Sequence, residues 1–319
     1  MTKQNITIFL ARPRGFCAGV TRAIKIVEEA LALFGGKVYV RHEIVHNAHV
    51  VKDLENKGAI FVQELSEVPE GSPVIFSAHG VPLSVIEDAK NKGLQTIDAT
   101  CPLVEKVHTE VKKLSKSGYK IILIGHAGHP EVIGTMGQVT GNSLFLLEKP
   151  EDLERLPLKE YSKSAYVTQT TLSIDETTDI IKKLKNKLPE IKSPEGKNIC
   201  FATTNRQAAV KAIAKKCDMI LVIGSPNSSN SKRLVEVARS EGCEKSLLVQ
   251  DVNEVSWDKI PSDISSLGIT AGASAPEYLV SELLEAFSKR YNVTLKEVKT
   301  CKENIRFKLP AILTPKETK

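Results

Sequence analysis

The sequence predicts an α/β protein made of three similar small lobes with mostly parallel sheets, and three observations lead there. Short runs rich in Val, Ile and Leu alternate with segments whose apolar residues recur every three or four positions, the pattern of strands joined by crossover helices. The composition is that of an ordinary globular chain, with 319 residues, 41% of them apolar and 26% charged. Three cysteines, Cys17, Cys101 and Cys200, stand 84 and 99 residues apart, each at or near the start of a helical stripe. Length alone suggests about two domains. The cysteine spacing sharpens this to three lobes over residues 1–98, 99–197 and 198–302, with a tail over 303–319.

In chain order, the expected strands are Ile6–Ala11, Lys37–Arg41, Val74–Ala78, Thr96–Ala99, Ile121–Gly125, Ala165–Thr168, Met219–Gly224, Leu247–Gln250 and Gly268–Ala271. Two of them, Ile121–Gly125 and Met219–Gly224, end in Gly. The helix opened by Cys17 carries the stripe Val20, Ala23, Ile24, Val27, Leu31 and Phe34. Cys101 is followed by Pro102, a favoured first helical residue, and then by Val104, Val107, Val111 and Leu114. After Cys200 and the polar turn Thr203, Thr204, Asn205 come Ala209, Val210, Ile213 and Ala214.

Composition and charge exclude several classes. No apolar run approaches the length of a membrane span, and the opening MTKQNITIFLARPRGF lacks the pattern of an export leader, so a cytoplasmic location is expected. The net charge is +6, but aromatics are only 5% and the basic residues alternate with acidic ones, unlike a nucleic-acid binder. Lys182, Lys183, Lys185 and Lys187 read as a solvated helix face rather than a patch for an acidic partner.

Without an export signal the six cysteines are expected to stay reduced. A helix start offers free N–H groups and positive partial charge that favour a thiolate. Three such positions invite a shared metal; three unrelated buried cysteines would give the same spacing. Cys217 falls on the stripe of residues 210, 213 and 214 and reads as a small core residue, while Cys243 and Cys301 carry no assigned role.

All seven histidines fall within the first 129 residues. His42, Glu43 and His46 match H-E-x-x-H, a zinc-protease pattern that needs both histidines on one helix face. Here the match continues the strand-like run Val38–Arg41, which argues against a zinc hydrolase. Four loops at strand ends, around His79, over 125–131, over 224–231 and over 270–274, combine glycines with Ser, Asn and His, a composition suited to a phosphate or diphosphate. There is no Walker lysine or G-x-G-x-x-G. Glu131, two residues past His129, reads as a proton source, and the hydroxyls of 168–173 as helix caps or substrate-orienting groups.

The segments PRGFCAGV at 13–20, HEIVHN at 42–47, FSAHGV at 76–81, DATCPLV at 98–104, GHAGHPEVIGTMGQ at 125–138, TQTTLS at 168–173, CFATTNRQ at 200–207, NSSNS at 227–231 and TAGASAP at 270–276 resemble the 4-hydroxy-3-methylbut-2-enyl diphosphate reductase family. The likeness is collinear from about residue 6 to residue 310. Arg12 and Thr21 depart from residues common in the family. The resemblance implies a three-lobed fold around one 4Fe–4S cluster per chain, held by Cys17, Cys101 and Cys200 with one iron left open. It implies the last step of the non-mevalonate isoprenoid pathway, a two-electron, two-proton removal of the substrate hydroxyl giving isopentenyl and dimethylallyl diphosphate. It further implies Glu131, Thr170 and His129 as catalytic groups. His46, His79, His129, Thr170, Ser228, Ser229, Asn230 and Ser274 would bind the diphosphate substrate, and a ferredoxin or flavodoxin would donate electrons. His42 and His49 keep structural readings. A protein that merely stores the cluster would have no use for the diphosphate loops.

Overall fold

The structure is a computed structural model that describes residues 3–141 and 143–314. Its elements run β1 (Asn5–Arg12), α1 (Ala18–Leu33), β2 (Val38–Arg41), α2 (Ala48–Asn56), β3 (Ala59–Val62), β4 (Pro73–Phe76), α3 (Leu83–Asn91), β5 (Gln95–Asp98), α4 (Pro102–Lys116), β6 (Lys120–Ile124), α5 (Pro130–Met136) and β7 (Leu144–Leu147). The chain continues through β8 (Ser164–Thr168), α6 (Ile174–Lys187), α7 (Phe201–Ala214), β9 (Met219–Ile223), α8 (Ser229–Ser240), β10 (Ser246–Val249), β11 (Ser266–Ala271), α9 (Glu277–Arg290) and β12 (Asn292–Lys299). Among the described residues no helix is long and apolar enough to cross a membrane.

Among the described residues the strands form three sheets, ordered β10-β9-β11-β1-β12, β3-β2-β4-β5 and β7-β6-β8. Every strand pair is parallel. The expected α/β class with parallel sheets is thus observed. The sheets are not three consecutive thirds of the chain, however, because β1 pairs with β11 and β12, from the far end of the sequence. A two-faced apolar strand fits any parallel sheet, so nothing local to Ile6–Ala11 names its partners.

The chain divides into two compact units. The first holds the residues up to Ala18, His46–Val50 and Phe201–Ile305, and contains the five-stranded sheet. Its strands bury both faces. Ile6, Ile8, Leu10, Leu221 and Ile269 pack with Leu279, Leu283 and Phe287 of α9, while Ala11, Ile220 and Val222 pack with Val210 and Ile213 of α7 and Leu234 of α8. The second unit holds Gly19–Val45, Val51–Cys200 and the residues from Arg306, and contains the other two sheets. In the three-stranded sheet, Ile122, Ile124 and Tyr166 face Leu184 of α6, and Ile121, Leu123 and Val167 face Val107 and Val111 of α4.

The apolar stripes of α4 and α7 are buried as expected. On α1 the stripe is rotated: Ile26 and Ala30 are fully buried, whereas Ile24 and Phe34 are only half-buried. Three strands carried no clear sequence signal. β3 and β7 are four-residue runs, and β12, with the sequence NVTLKEVK, is a mostly exposed edge strand whose lysines and glutamate mask its period.

Candidate active site

Each sheet reverses its winding once, and parallel sheets bind ligands at such points, beyond the carboxyl ends of the two strands involved. In the three-stranded sheet, β7 lies on one side of β6 and β8 on the other, so the reversal falls between β6 and β8. The segments leaving these strands carry Glu131 and Thr170. In the four-stranded sheet the reversal falls between β2 and β4, where the Ala78 N–H donates to the Ile44 carbonyl (3.1 Å) and His79 follows. In the five-stranded sheet it falls between β9 and β11, whose loops carry Ser228, Ser229, Asn230 and Ser274. All the expected binding loops, including the 42–47 loop that leaves β2 and carries His46, therefore arise at reversal points by strand order alone.

In the second unit, His129 caps α5 with Pro130 as its first residue, and His129 Nδ1 accepts from the Glu131 N–H at 3.1 Å. This aims the Glu131 side chain inward, where it is 3% exposed. The Thr170 N–H donates to Glu131 Oε1 (2.6 Å) and the Thr170 hydroxyl to Oε2 (2.9 Å). Burial raises the Glu131 carboxyl from an ordinary 4.5 to about 7, against the pull of both hydrogen bonds from Thr170, which favour the carboxylate. A carboxyl poised there exchanges its proton at neutral pH. The Thr170 carbonyl accepts from the Cys200 N–H (3.0 Å), which ties the residue before α7 to the same loop. Cys101 is the N-cap of α4, and its N–H donates to the Ala78 carbonyl (3.0 Å). The His79 and His129 rings meet edge to face, 5.8 Å apart.

In the first unit, Cys17 directly precedes α1, and its N–H donates to the Ala273 carbonyl at 3.2 Å. Ser228 caps α8, its hydroxyl accepting from the Ser231 N–H (3.3 Å) and the Ser231 hydroxyl (3.0 Å). Asn230, in the first turn, is 4% exposed, and among the described residues neither its Oδ1 nor its Nδ2 has a hydrogen-bond partner. Such an orphaned amide at a helix N-terminus is ready to receive an anion. Gly272 permits this packing, because a Cβ there would sit 2.0 Å from Ser231 Oγ and 3.4 Å from Asn230 Nδ2. The Ser274 hydroxyl donates to the His46 carbonyl (2.9 Å), and His46 Nδ1 lies 3.4 Å from Asn227 Nδ2.

The zinc-hydrolase alternative is corrected here. Residues 42–47 form an irregular loop in which His42 adopts a left-handed backbone (φ 60°), so the two histidines cannot share a helix face. Nor do three His, Cys, Asp or Glu side chains among the described residues stand together as a site for a metal ion. His49 pairs with Asp251 (3.2 Å) and meets the Tyr278 ring edge to face, a structural role. Of the Lys182 run, Lys182, Lys183 and Lys185 are exposed on α6, whereas Lys187 is half-buried and pairs with Glu154 (2.6 Å).

Sequence reasoning passed over Arg206. It interrupts the apolar side of α7 among Ala202, Ala209 and Val210, and a charge in a stripe was the available signal. Its side chain is fully buried and donates to the carbonyls of Gly15 and Ala202 and to Glu303.

The LytB protein family model matches residues 8–288. The chain belongs to the LytB family. Its curated relatives include the 4-hydroxy-3-methylbut-2-enyl diphosphate reductase of Roseobacter denitrificans, 56% identical and covering 98% of this chain and 99% of the relative. The enzyme of the same name from Paracoccus denitrificans is 52% identical, covering 98% of each chain. A solved LytB-type structure, the E-1-hydroxy-2-methyl-but-2-enyl-4-diphosphate reductase from Plasmodium falciparum, superposes with a TM-score of 0.91 at 42% identity, covering 98% of this chain and 97% of the other.

Proposed function

We propose that this LytB-family chain is an oxidoreductase that reduces 4-hydroxy-3-methylbut-2-enyl diphosphate to isopentenyl and dimethylallyl diphosphate, the last step of the non-mevalonate isoprenoid pathway. Two electrons and two protons enter, the allylic C–O bond breaks, and the hydroxyl leaves as water. Relatives of the same length at more than half identity support the activity. The observation that carries the chemistry is the buried Glu131 carboxyl, held near neutrality and bonded through both oxygens to Thr170.

The cysteines fit an iron–sulfur group by their donor chemistry. Cys17, Cys101 and Cys200 are half-buried cysteines outside any disulfide, at helix starts. The other three fit less well. Burial pushes the Cys217 thiol up to about 12 and raises that of Cys243, while Cys301 lies exposed on an irregular segment. Cys17, Cys101 and Cys200 would hold one 4Fe–4S cluster, which when bound supplies electrons and an open Lewis-acidic iron for the substrate hydroxyl.

Glu131 delivers protons and Thr170 orients the allylic hydroxyl and relays them, with His129 fixing the loop. Asn230, Ser228 and Ser229 at the start of α8, together with Ser274, His46, His79 and His129, take the diphosphate. Neutral amide, hydroxyl and imidazole donors suffice where water is excluded, so no lysine is needed. The external electron donor is a ferredoxin or flavodoxin type of protein, and the working location is the cytoplasm.

The deciding experiment is anaerobic purification followed by iron and sulfide analysis and turnover with a chemical reductant. A brown protein that reduces the substrate is the expected result. An iron-free protein with full activity would sink the reading, as would an iron-loaded one that leaves the substrate intact.

A further inference from the structure

The loop that presents Cys17 is held from two directions. On one side the Gly15 N–H donates to the Ala271 carbonyl (3.1 Å) and the Cys17 N–H to that of Ala273 (3.2 Å), both at the end of β11. On the other, the Gly15 carbonyl accepts two bonds from Arg206, at 3.1 Å from Nε and 2.7 Å from Nη2. Gly15 has φ +66°, and a Cβ there would lie 3.2 Å from the Ala275 carbonyl, so the loop has little room to relax.

Arg206 is fully buried, and a buried guanidinium persists only if its charge and its donors are satisfied. Glu303 supplies the charge, with its oxygens 3.1 and 3.4 Å from Nη1, and is itself bonded by the Asn205 amide (2.9 Å). Glu303 belongs to the irregular segment after β12. The same device recurs in the other unit. Arg22 donates to the carbonyl of Thr100, directly before Cys101 (3.0 Å), and to that of Lys308, farther along the C-terminal segment (2.8 Å).

We propose that Arg206, locked by Glu303, is the positioning residue of Cys17: it fixes the carbonyl two residues upstream, so that the thiol is presented in one orientation before any iron binds. The proposal rests on the reading of Cys17 as a cluster ligand. Arginine is required because a lysine, with one nitrogen, cannot grip the Gly15 and Ala202 carbonyls and Glu303 together. Residues that support a metal ligand from behind typically change metal affinity or activity 10–100-fold when lost.

The test is the alkylation rate of each cysteine in the iron-free full-length protein, read by mass spectrometry for wild type, Arg206→Lys, Arg206→Gln and Glu303→Gln. Expected is a rise of about 10-fold at Cys17 in both Arg206 variants, and a smaller rise in Glu303→Gln, with Cys101 and Cys200 unchanged. In the reconstituted protein a chelator should strip iron about 10-fold faster from Arg206→Lys than from wild type. Unchanged Cys17 labelling in Arg206→Lys and Glu303→Gln would overturn the proposal. An equal rise at all cysteines, buried Cys243 included, would also overturn it, since that is general loosening. Failure of the wild type to take up iron would instead overturn the cluster reading, while the labelling contrast would still report on the loop.

Discussion

Two buried polar groups, one in each unit, are treated in opposite ways. Glu131 and Asn230 are almost equally inaccessible, at 3% and 4%. Glu131 has a donor on each oxygen, whereas Asn230 has no hydrogen-bond partner among the described residues on either side-chain polar atom. A buried group with internal partners is preorganised, and its chemistry is set before a ligand arrives. A buried group without them is held in deficit until a ligand supplies the missing bonds. Under the proposed function Glu131 would serve proton transfer and Asn230 binding, and substitutions should separate them in kcat and KM.

The largest effect expected is that of Glu131→Gln, which keeps the shape but removes the transferable proton. Turnover should fall about 10³-fold, the usual range for loss of a general acid, with iron content and substrate affinity close to wild type. A variant retaining a tenth of the activity would remove Glu131 from the proton path. Asn230→Ala should raise KM about 10–100-fold, as expected when bonds to a charged ligand are lost, with little change in kcat. Because Asn230 has nothing to lose in the free protein, its melting temperature should hold or rise. A clear fall in melting temperature would break the contrast.

The contrast also carries a pH signature. Glu131 is neutral well below about 7 and charged above it, so as the proton donor it should give kcat an alkaline limb near that value. Its folded pKa lies above the ordinary 4.5, so the folded state suffers no penalty below 4.5 and loses stability as pH rises through 7. Denaturant titrations should show wild type losing about 2 kcal/mol against Glu131→Gln between pH 5 and pH 8.

His108 on α4 runs the other way. Burial holds its imidazole down to about 4, and among the described residues its Nε2 has no hydrogen-bond partner. Its neutral form is the folded one, so stability is complete above 6.5 and lost as pH falls from 6.5 towards 4. His108→Gln should flatten that acid limb by about 1 kcal/mol. An unchanged slope would place the imidazole in contact with water.

What was legible in the sequence follows from the range over which each signal acts. The helix starts after Cys17, Cys101 and Cys200 are local facts, carried by Pro102 or by stripes three and four residues apart, and they appear in place. The polar loops at strand ends were equally visible, because glycine, serine and histidine clusters interrupt apolar runs. Pairing between distant strands leaves no local mark, and so β1 could not be assigned to the sheet of β11 and β12. β12 was hidden for another reason: as an edge strand it is protected by Lys296, Glu297 and Lys299 rather than by burial. Arg206 was overlooked because its partners, Gly15 and Glu303, lie about 190 residues before it and nearly 100 after it.

The position of β1 between β11 and β12 also bears on synthesis. A chain made from its N-terminus exposes Asn5–Arg12 long before residues 266–299 have left the ribosome. Until then an eight-residue apolar strand has both edges open, and pairings of such sequence separation form slowly. The β3-β2-β4-β5 and β7-β6-β8 sheets are complete by Thr168 and can form first. The backbone bonds that hold the Cys17 loop, to Ala271 and Ala273, are thus among the last to be made. A chain cut short before β11 would keep the Glu131–Thr170 pair while leaving its first cysteine without the strand that anchors it.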